Sequence, residues 1–214
     1  MKENPSGSDL GSPSEAIKVI EALSDNENEN EAISALSDIL RNEMDLVARS
    51  LAAEMLVKYK EHVSVASILS EILVNPSEGS LVRCATARAL GKIGGDQALN
   101  ALIKSIETDN NYPLVITNSI RALGDIGDPK AIPSVTKLFS SMEDPRCPPY
   151  LIRACAAESL GQIGAYEGAS ILKRAYEEDS HSSVREAAEK ALHEIAKRND
   201  IPSIQELLST IKNA

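Results

Sequence analysis

Apolar residues recur along this chain at intervals of three and four, the period of a helix that buries one face. In the stretch 82–93 they fall at Val82, Ala85, Ala89 with Leu90, and Ile93. The same pattern returns in five segments: VARSLAAEMLVKY from 47, VRCATARALGKIG from 82, VITNSIRALGDIG from 115, IRACAAESLGQIG from 152 and VREAAEKALHEIA from 184. Aligned on the shared Leu56, Leu90, Leu123, Leu160 and Leu192, the copies are 34, 33, 37 and 32 residues apart, and the first begins one residue late, with Ala48 under Val82. Between them lies a second amphipathic element: EAISALSDIL from 31, SVASILSEIL from 64, ALNALIKSI from 98, AIPSVTKLF from 131, GASILKRAY from 168 and IPSIQELLSTI from 201.

The repeating unit is therefore a helical hairpin. Gly94, Gly127 and Gly164 stand where a left-handed residue closes a helix, and Asp128-Pro129 restarts the chain after one of them. A second glycine, Gly91, Gly124 and Gly161, sits inside the helix at a propensity cost of about 1 kcal/mol each. A cost repeated at one register predicts close helix–helix packing there. The pattern predicts a leading half-unit at 14–24, five helical pairs over 31–197 and a closing helix at 201–212, with the half-units capping a stack that touches only its neighbours.

A period near 34 residues fits two solenoid types. The tetratricopeptide type needs large aromatics at fixed offsets, but this chain has no Trp and one Phe, Phe139. The pattern VRxxAAxALGxIGDxxAIPxL, best seen in VRCATARALGKIGGDQALNAL and VITNSIRALGDIGDPKAIPSV, resembles the HEAT-like repeat of phycobilisome lyases and their relatives. That resemblance spans roughly 31–212 and is clearest over 80–198. It implies an all-α fold: an α-solenoid of about five full HEAT-like hairpins plus terminal half-units, roughly twelve helices in a right-handed superhelical stack. Residues 14–214 then form a single repeat domain behind a tail at 1–13.

The resemblance also implies that the VR-bearing helix lines a concave groove. Two residues before the shared leucine stand Glu54, Arg88, Arg121, Glu158 and Lys190; two after it stand Lys58, Lys92, Asp125, Gln162 and Glu194. One step before the leading Val lie Val47, Leu81, Leu114, Leu151 and Ser183. A groove with an apolar rim and a charged floor is expected. Arg88 and Arg121, on helices about 8–10 Å apart, are expected to form a short cationic pair able to hold two carboxylates, unless they instead pair with Glu54, Glu158 and Asp125. Arg83, Arg153 and Arg185, the R of the VR dipeptide, are expected to bond acidic or backbone groups of the preceding turn.

Charge refines this picture. Lys+Arg 22 against Asp+Glu 32 gives a net −10 over 214 residues, which offers no broad attraction to phosphate and argues against nucleic acid. Eleven acids and three bases lie within 1–45, so most of the excess sits at the acidic N-terminal end and the repeats are nearly neutral. MKENPSGSDLGSP at 1–13 has the composition of a disordered tail, DNENEN at 25–30 reads as a solvated loop, and SMEDPRCPPY in the 37-residue interval as a stiff projecting loop. No basic-then-apolar leader and no run of about 18 apolar residues occurs, so no membrane contact is expected and the setting reads as cytoplasmic.

Candidate chemistry is sparse. Cys84, Cys147 and Cys155 form no CxxC pair and read as reduced thiols, Cys147 being the one expected to be exposed. An iron-dependent hydroxylase built from this repeat holds its metals with four His-Glu dipeptides; here, of His62, His181 and His193, only His193-Glu194 forms one. No P-loop, GxSxG or HExxH is present. No catalytic residue, metal or cofactor is therefore assigned. The expected function is a non-catalytic scaffold, adaptor or assembly factor that binds another protein in its groove, through Arg88, Arg121, Glu54, Glu158, Lys190, Lys92, Leu81, Leu114 and Leu151. The alternative implied by the resemblance is a subunit of a bilin lyase or another tetrapyrrole-handling factor, with phycobilin as ligand and a second HEAT-like chain or a phycobiliprotein as partner.

Overall fold

A computed structural model describes residues 15–23, 28–108, 112–139 and 150–211. The tail at 1–13, residues 25–27 of DNENEN and residues 141–149 of the Pro-rich interval, with Cys147, lie outside the described residues. The rest of DNENEN is not loop. Asn28 accepts a hydrogen bond from the Glu31 backbone N–H at 3.3 Å and the helix begins at Glu29, because an Asn side chain satisfies an N–H that the first helical turn leaves open.

Among the described residues twelve α-helices follow in order: α1 Glu15–Leu23, α2 Glu29–Asn42, α3 Leu46–Leu56, α4 Val63–Val74, α5 Ser80–Ile93, α6 Gly95–Thr108, α7 Pro113–Ile126, α8 Ile132–Thr136, α9 Tyr150–Ile163, α10 Ala169–Glu178, α11 Ser182–Arg198 and α12 Ile204–Thr210. The five VR helices, α3, α5, α7, α9 and α11, pack each on the next in one layer. Helices α2, α4, α6, α8 and α10 form the second layer, and α1 and α12 pack against the two ends of the VR layer. Neighbours contact one another far more extensively in the VR layer than in the second. The VR helices thus form the more closely packed layer, and the chain is an all-α solenoid.

The core lies between the layers. Leu56, Leu90, Leu123, Leu160 and Leu192 of the VR layer and Leu36, Leu69, Leu102, Val135 and Leu172 of the other belong to one buried cluster, none more than 1% exposed. Each buried leucine contributes roughly 1.5–3 kcal/mol, which makes this double row the main source of cohesion. The inner glycines explain the tight VR layer. A Cβ built on Gly91 would stand 2.8 Å from Ala122 Cβ, and one on Gly161 would stand 2.7 Å from Ala191 Cα. The first unit carries Val57 at this register, where α3 has already passed into a 3-10 turn, Val57–Tyr59.

Helix ends follow local chemistry. Gly127, with φ 72° and ψ 15°, closes α7 and donates its N–H to Leu123 O at 3.1 Å, while Asp45 caps α3 by accepting from Val47 N at 2.8 Å. One element departs from expectation. AIPSVTKLF is not one continuous helix but a 3-10 turn at Pro129–Ala131, the short α8 and a second 3-10 turn at Lys137–Phe139. Pro133 has no N–H to give to the preceding turn and is tolerated only near the start of α8.

Candidate functional site

Residues seven apart on a helix lie almost one above the other, so Leu81 and Arg88, Leu114 and Arg121, and Leu151 and Glu158 each share a face of their VR helix. The structure exposes that face along the stack. Val47, Leu81, Leu114 and Leu151 are 54, 49, 68 and 61% exposed, and Glu54, Arg88, Arg121, Glu158 and Lys190 are all exposed beside them. So are Lys58, Lys92, Asp125, Gln162 and Glu194, one turn further on. Ser183 continues the apolar register as a polar residue. Between the apolar and charged rows the VR helices carry small side chains, among them Ser50, Cys84, Ala85, Thr117 and Ala154. The face is a trough with an apolar wall, a low floor and a charged wall.

Arg88 and Arg121 occupy equivalent positions in adjacent units but do not act as an equivalent pair. Arg88 Nη2 donates to Glu54 Oε1 of the preceding unit at 2.8 Å. Arg121 lies near the Cys155 thiol of the following unit, which its charge works to lower, and has no carboxylate at ion-pair distance among the described residues. The two cations therefore differ, one being neutralised and the other open to an anionic partner. Further along, a shallow cleft of about 300 Å³ opens between α9 and α11, with Glu158, Lys190, Glu194 and Arg198 as walls over Gly161 and Ala191.

The VR arginines are structural, as expected. Arg83 Nε donates to Leu73 O at 2.8 Å and is 2% exposed; Arg185 Nη1 donates to Asp179 O at 2.7 Å. Arg153 differs in direction. It reaches forward to Asp179, giving Nε to Oδ2 at 2.8 Å and Nη2 to Oδ1 at 2.9 Å, while the turn before its own helix lies outside the described residues. Burial works to raise the Asp179 carboxyl, yet the Arg153 hydrogen bonds, the His181 N–H and the nearby positive charge together hold it below the ordinary carboxylate value. Arg49, which sequence reasoning missed, belongs to this series: its Nε donates to Leu40 O at 2.7 Å and its guanidinium pairs with Glu78. Counting seven back from Leu56 would have found it.

Two aromatic residues also escaped notice. Tyr112 and Tyr150 are 41 and 39% exposed at the N-terminal ends of α7 and α9, on the edge that carries Leu114 and Leu151. Tyr150 stacks on His181, with ring centroids 3.6 Å apart and planes 6° from parallel, and the Tyr112 ring lies 5.8 Å from the Arg83 guanidinium.

The thiols of the VR layer are withdrawn from solvent. Cys84 and Cys155 are 7 and 2% exposed. Burial pushes the Cys155 thiol up to about 11, against the opposing pull of Arg121, and its Sγ lies 3.7 Å from Thr117 O. The histidines are likewise dispersed: His62 caps α4 and His181 caps α11, each through Nδ1, while His193 is exposed on α11. Among the described residues no three His, Cys, Asp or Glu side chains converge as a metal requires. The residues present do not fit the His-Glu iron centre. No helix among the described residues is long and apolar enough to cross a membrane.

Residues 33–116, 66–147 and 112–193 each match the family of HEAT repeats. The chain is 31% identical over 152 residues to deoxyhypusine hydroxylase of Arabidopsis thaliana, covering 71% of this chain and 46% of that protein. It is 28% identical over 137 residues to phycocyanobilin lyase subunit alpha of Picosynechococcus sp., covering 61% of this chain and 50% of that one. It thus spans about half the length of these curated relatives. Among solved structures, the complex of CpcE and CpcF of phycocyanin lyase from Nostoc sp. superposes with a TM-score of 0.61 at 22% identity, over 94% of this chain and 71% of that chain. Human deoxyhypusine hydroxylase in complex with glycerol superposes with a TM-score of 0.53 at 18% identity, over 87% and 82%. At these identities the superpositions show a common fold.

Proposed function

The chain belongs to the HEAT-repeat family, and from that premise we propose that it is a non-catalytic scaffold or assembly factor whose VR-helix trough holds another protein. One observation carries this reading. Four successive units leave an aliphatic side chain exposed at one register, Val47, Leu81, Leu114 and Leu151, beside a row of exposed charges. Soluble proteins seldom leave so regular an apolar strip bare unless something covers it. The experiment is a comparison of the wild-type chain with a double Arg88→Glu, Arg121→Glu variant as baits for partners in the native cell. The expected result is a variant that remains fully helical and loses the partner; equal recovery of the same partner by both baits overturns the trough assignment.

A second reading is favoured by the similarity to a phycocyanobilin lyase subunit and to a complex of two lyase chains. In this reading the partner is a second HEAT-like chain or a phycobiliprotein, and the pair handles a phycobilin. The buried Cys155, with its raised thiol, speaks against a thioether relay at that residue. Mixing the purified chain with phycocyanobilin, alone and with a second HEAT-like chain, and scanning the visible spectrum tests it. A shift in the absorbance band supports the reading, and an unchanged spectrum in both mixtures removes it.

A further inference from the structure

The two rows that border the trough stand at a fixed spacing. Its apolar wall and its charged wall are seven residues apart on every VR helix, Leu81 to Arg88 and Leu114 to Arg121, which is about 10.5 Å at the helical rise. A helix laid between the rows, with a backbone cylinder about 2.3 Å in radius, can send side chains from its two flanks to both. Most side chains between the rows are small, Ser50, Cys84, Ala85, Thr117 and Ala154 among them, with Leu51 and Asn118 the larger ones. Length agrees as well. Packed helices lie about 8–10 Å apart, so the four exposed aliphatics Val47, Leu81, Leu114 and Leu151 run over a distance that a helix of about 16–20 residues covers. One heptad of a helix laid across the units rises about 10.5 Å, close to one unit of the stack, so residues spaced by seven meet one wall residue each.

Charge orients the occupant. Although the chain carries a net −10, the charged wall and the row beyond it hold five bases, Lys58, Arg88, Lys92, Arg121 and Lys190, against four acids, Glu54, Asp125, Glu158 and Glu194. Glu54 neutralises Arg88, while Lys92 in the second unit and Arg121 in the third have no carboxylate at ion-pair distance among the described residues. An occupant is therefore favoured if it places acids opposite those two cations and aliphatics opposite Leu81 and Leu114. We infer that the trough is built to receive an amphipathic α-helix of about 16–20 residues whose aliphatic side chains repeat every seven positions and whose adjoining flank is acidic.

This inference rests on the trough being a partner-binding face and adds the form and charge of what binds. The test uses the full chain and three fluorescein-labelled synthetic peptides of about 20 residues, read by fluorescence anisotropy. The first is a helix-forming Ala/Gln peptide with leucines every seven positions and glutamates along one flank. The second has lysine for each glutamate, and the third has two interior positions replaced by proline so that no helix forms. The expected result is binding of the acidic helical peptide, with at least tenfold weaker binding of the other two. Leu114→Asp, at a side chain 68% exposed, should weaken the acidic peptide at least tenfold while far-ultraviolet circular dichroism stays at the wild-type level. Equal binding of the acidic and basic peptides, equal binding of the proline peptide, or no binding of the acidic one overturns the inference. So does sedimentation of the wild-type chain as a dimer that Leu114→Asp dissociates, since the occupant is then a second copy. A native partner that still depends on Arg88 and Arg121 but docks through an extended or basic segment overturns the inference alone and leaves the trough assignment standing.

Discussion

Gly91 lies so close to Ala122 that a single added methyl group would stand 2.8 Å from the alanine Cβ. Intrinsic propensity favours alanine over glycine within a helix by about 1 kcal/mol, whereas forcing a methyl into a closed contact typically costs about 1–3 kcal/mol. Packing is expected to win. Gly91→Ala and Gly161→Ala should each lower the urea midpoint despite raising helix propensity, with a net loss of up to about 2 kcal/mol. A stabilised variant would mean that neighbouring VR helices separate freely, contrary to the close packing described.

The Arg153–Asp179 pair joins the fourth VR helix to the turn before the fifth, with Asp179 only 3% exposed. Removing one member of a buried pair leaves the other uncompensated, so Asp179→Asn is expected to cost about 3–5 kcal/mol at neutral pH. The folded carboxyl is held below its ordinary value. Its contribution is thus complete above the unfolded value near 3.8 and is lost as pH falls through the lower folded value. Urea titrations between pH 7 and pH 2 should show wild type losing this increment at the acid end, with a shallower acid slope in the variant. Parallel pH profiles would contradict the pairing.

Burial and a thiol near 11 make Cys155 a poor nucleophile at neutral pH. In a Cys147→Ser background, the two remaining thiols should react with Ellman's reagent at least an order of magnitude more slowly in the native protein than in guanidinium. Rapid native labelling at Cys155, located by peptide mapping, would contradict the packing of α9 against α7.

The bridge between Glu54 and Arg88 joins two exposed side chains. Pairs of this kind contribute about 0–1 kcal/mol, so Glu54→Gln should leave the thermal midpoint almost unchanged. Its effect is expected in binding instead, because it releases Arg88 to an anionic partner. Tighter partner binding that weakens as salt is added supports this role for the wall; a lower thermal midpoint with unaltered binding would assign the bridge to stability.

The repeat was legible because its marks are local. The five shared leucines are all within 1% of full burial, Gly127 takes the left-handed geometry its position suggested, and the inner glycines meet the neighbouring helix. What the sequence left hidden depends on contacts between units. Arg153 finds Asp179, 26 residues downstream, and Arg88 finds Glu54, 34 residues upstream. The choice between a free cation pair and a neutralised one turns on side-chain geometry that spacing does not specify. Pro133 was visible, but propensity alone did not show that it would divide the eighth helix into short turns. Tyr112 and Tyr150 carry no repeat signature in the sequence, although each sits at the start of a VR helix beside the apolar wall.

Hydrogen–deuterium exchange of the chain with and without its co-purified partner asks which face is covered. The expected result is slowed exchange over residues 80–93, 113–126 and 150–163, with the second-layer helices 63–74 and 95–108 unaffected. Protection confined to those second-layer helices or to the end helices, with the VR helices unchanged, would contradict the central claim that the partner lies in the trough.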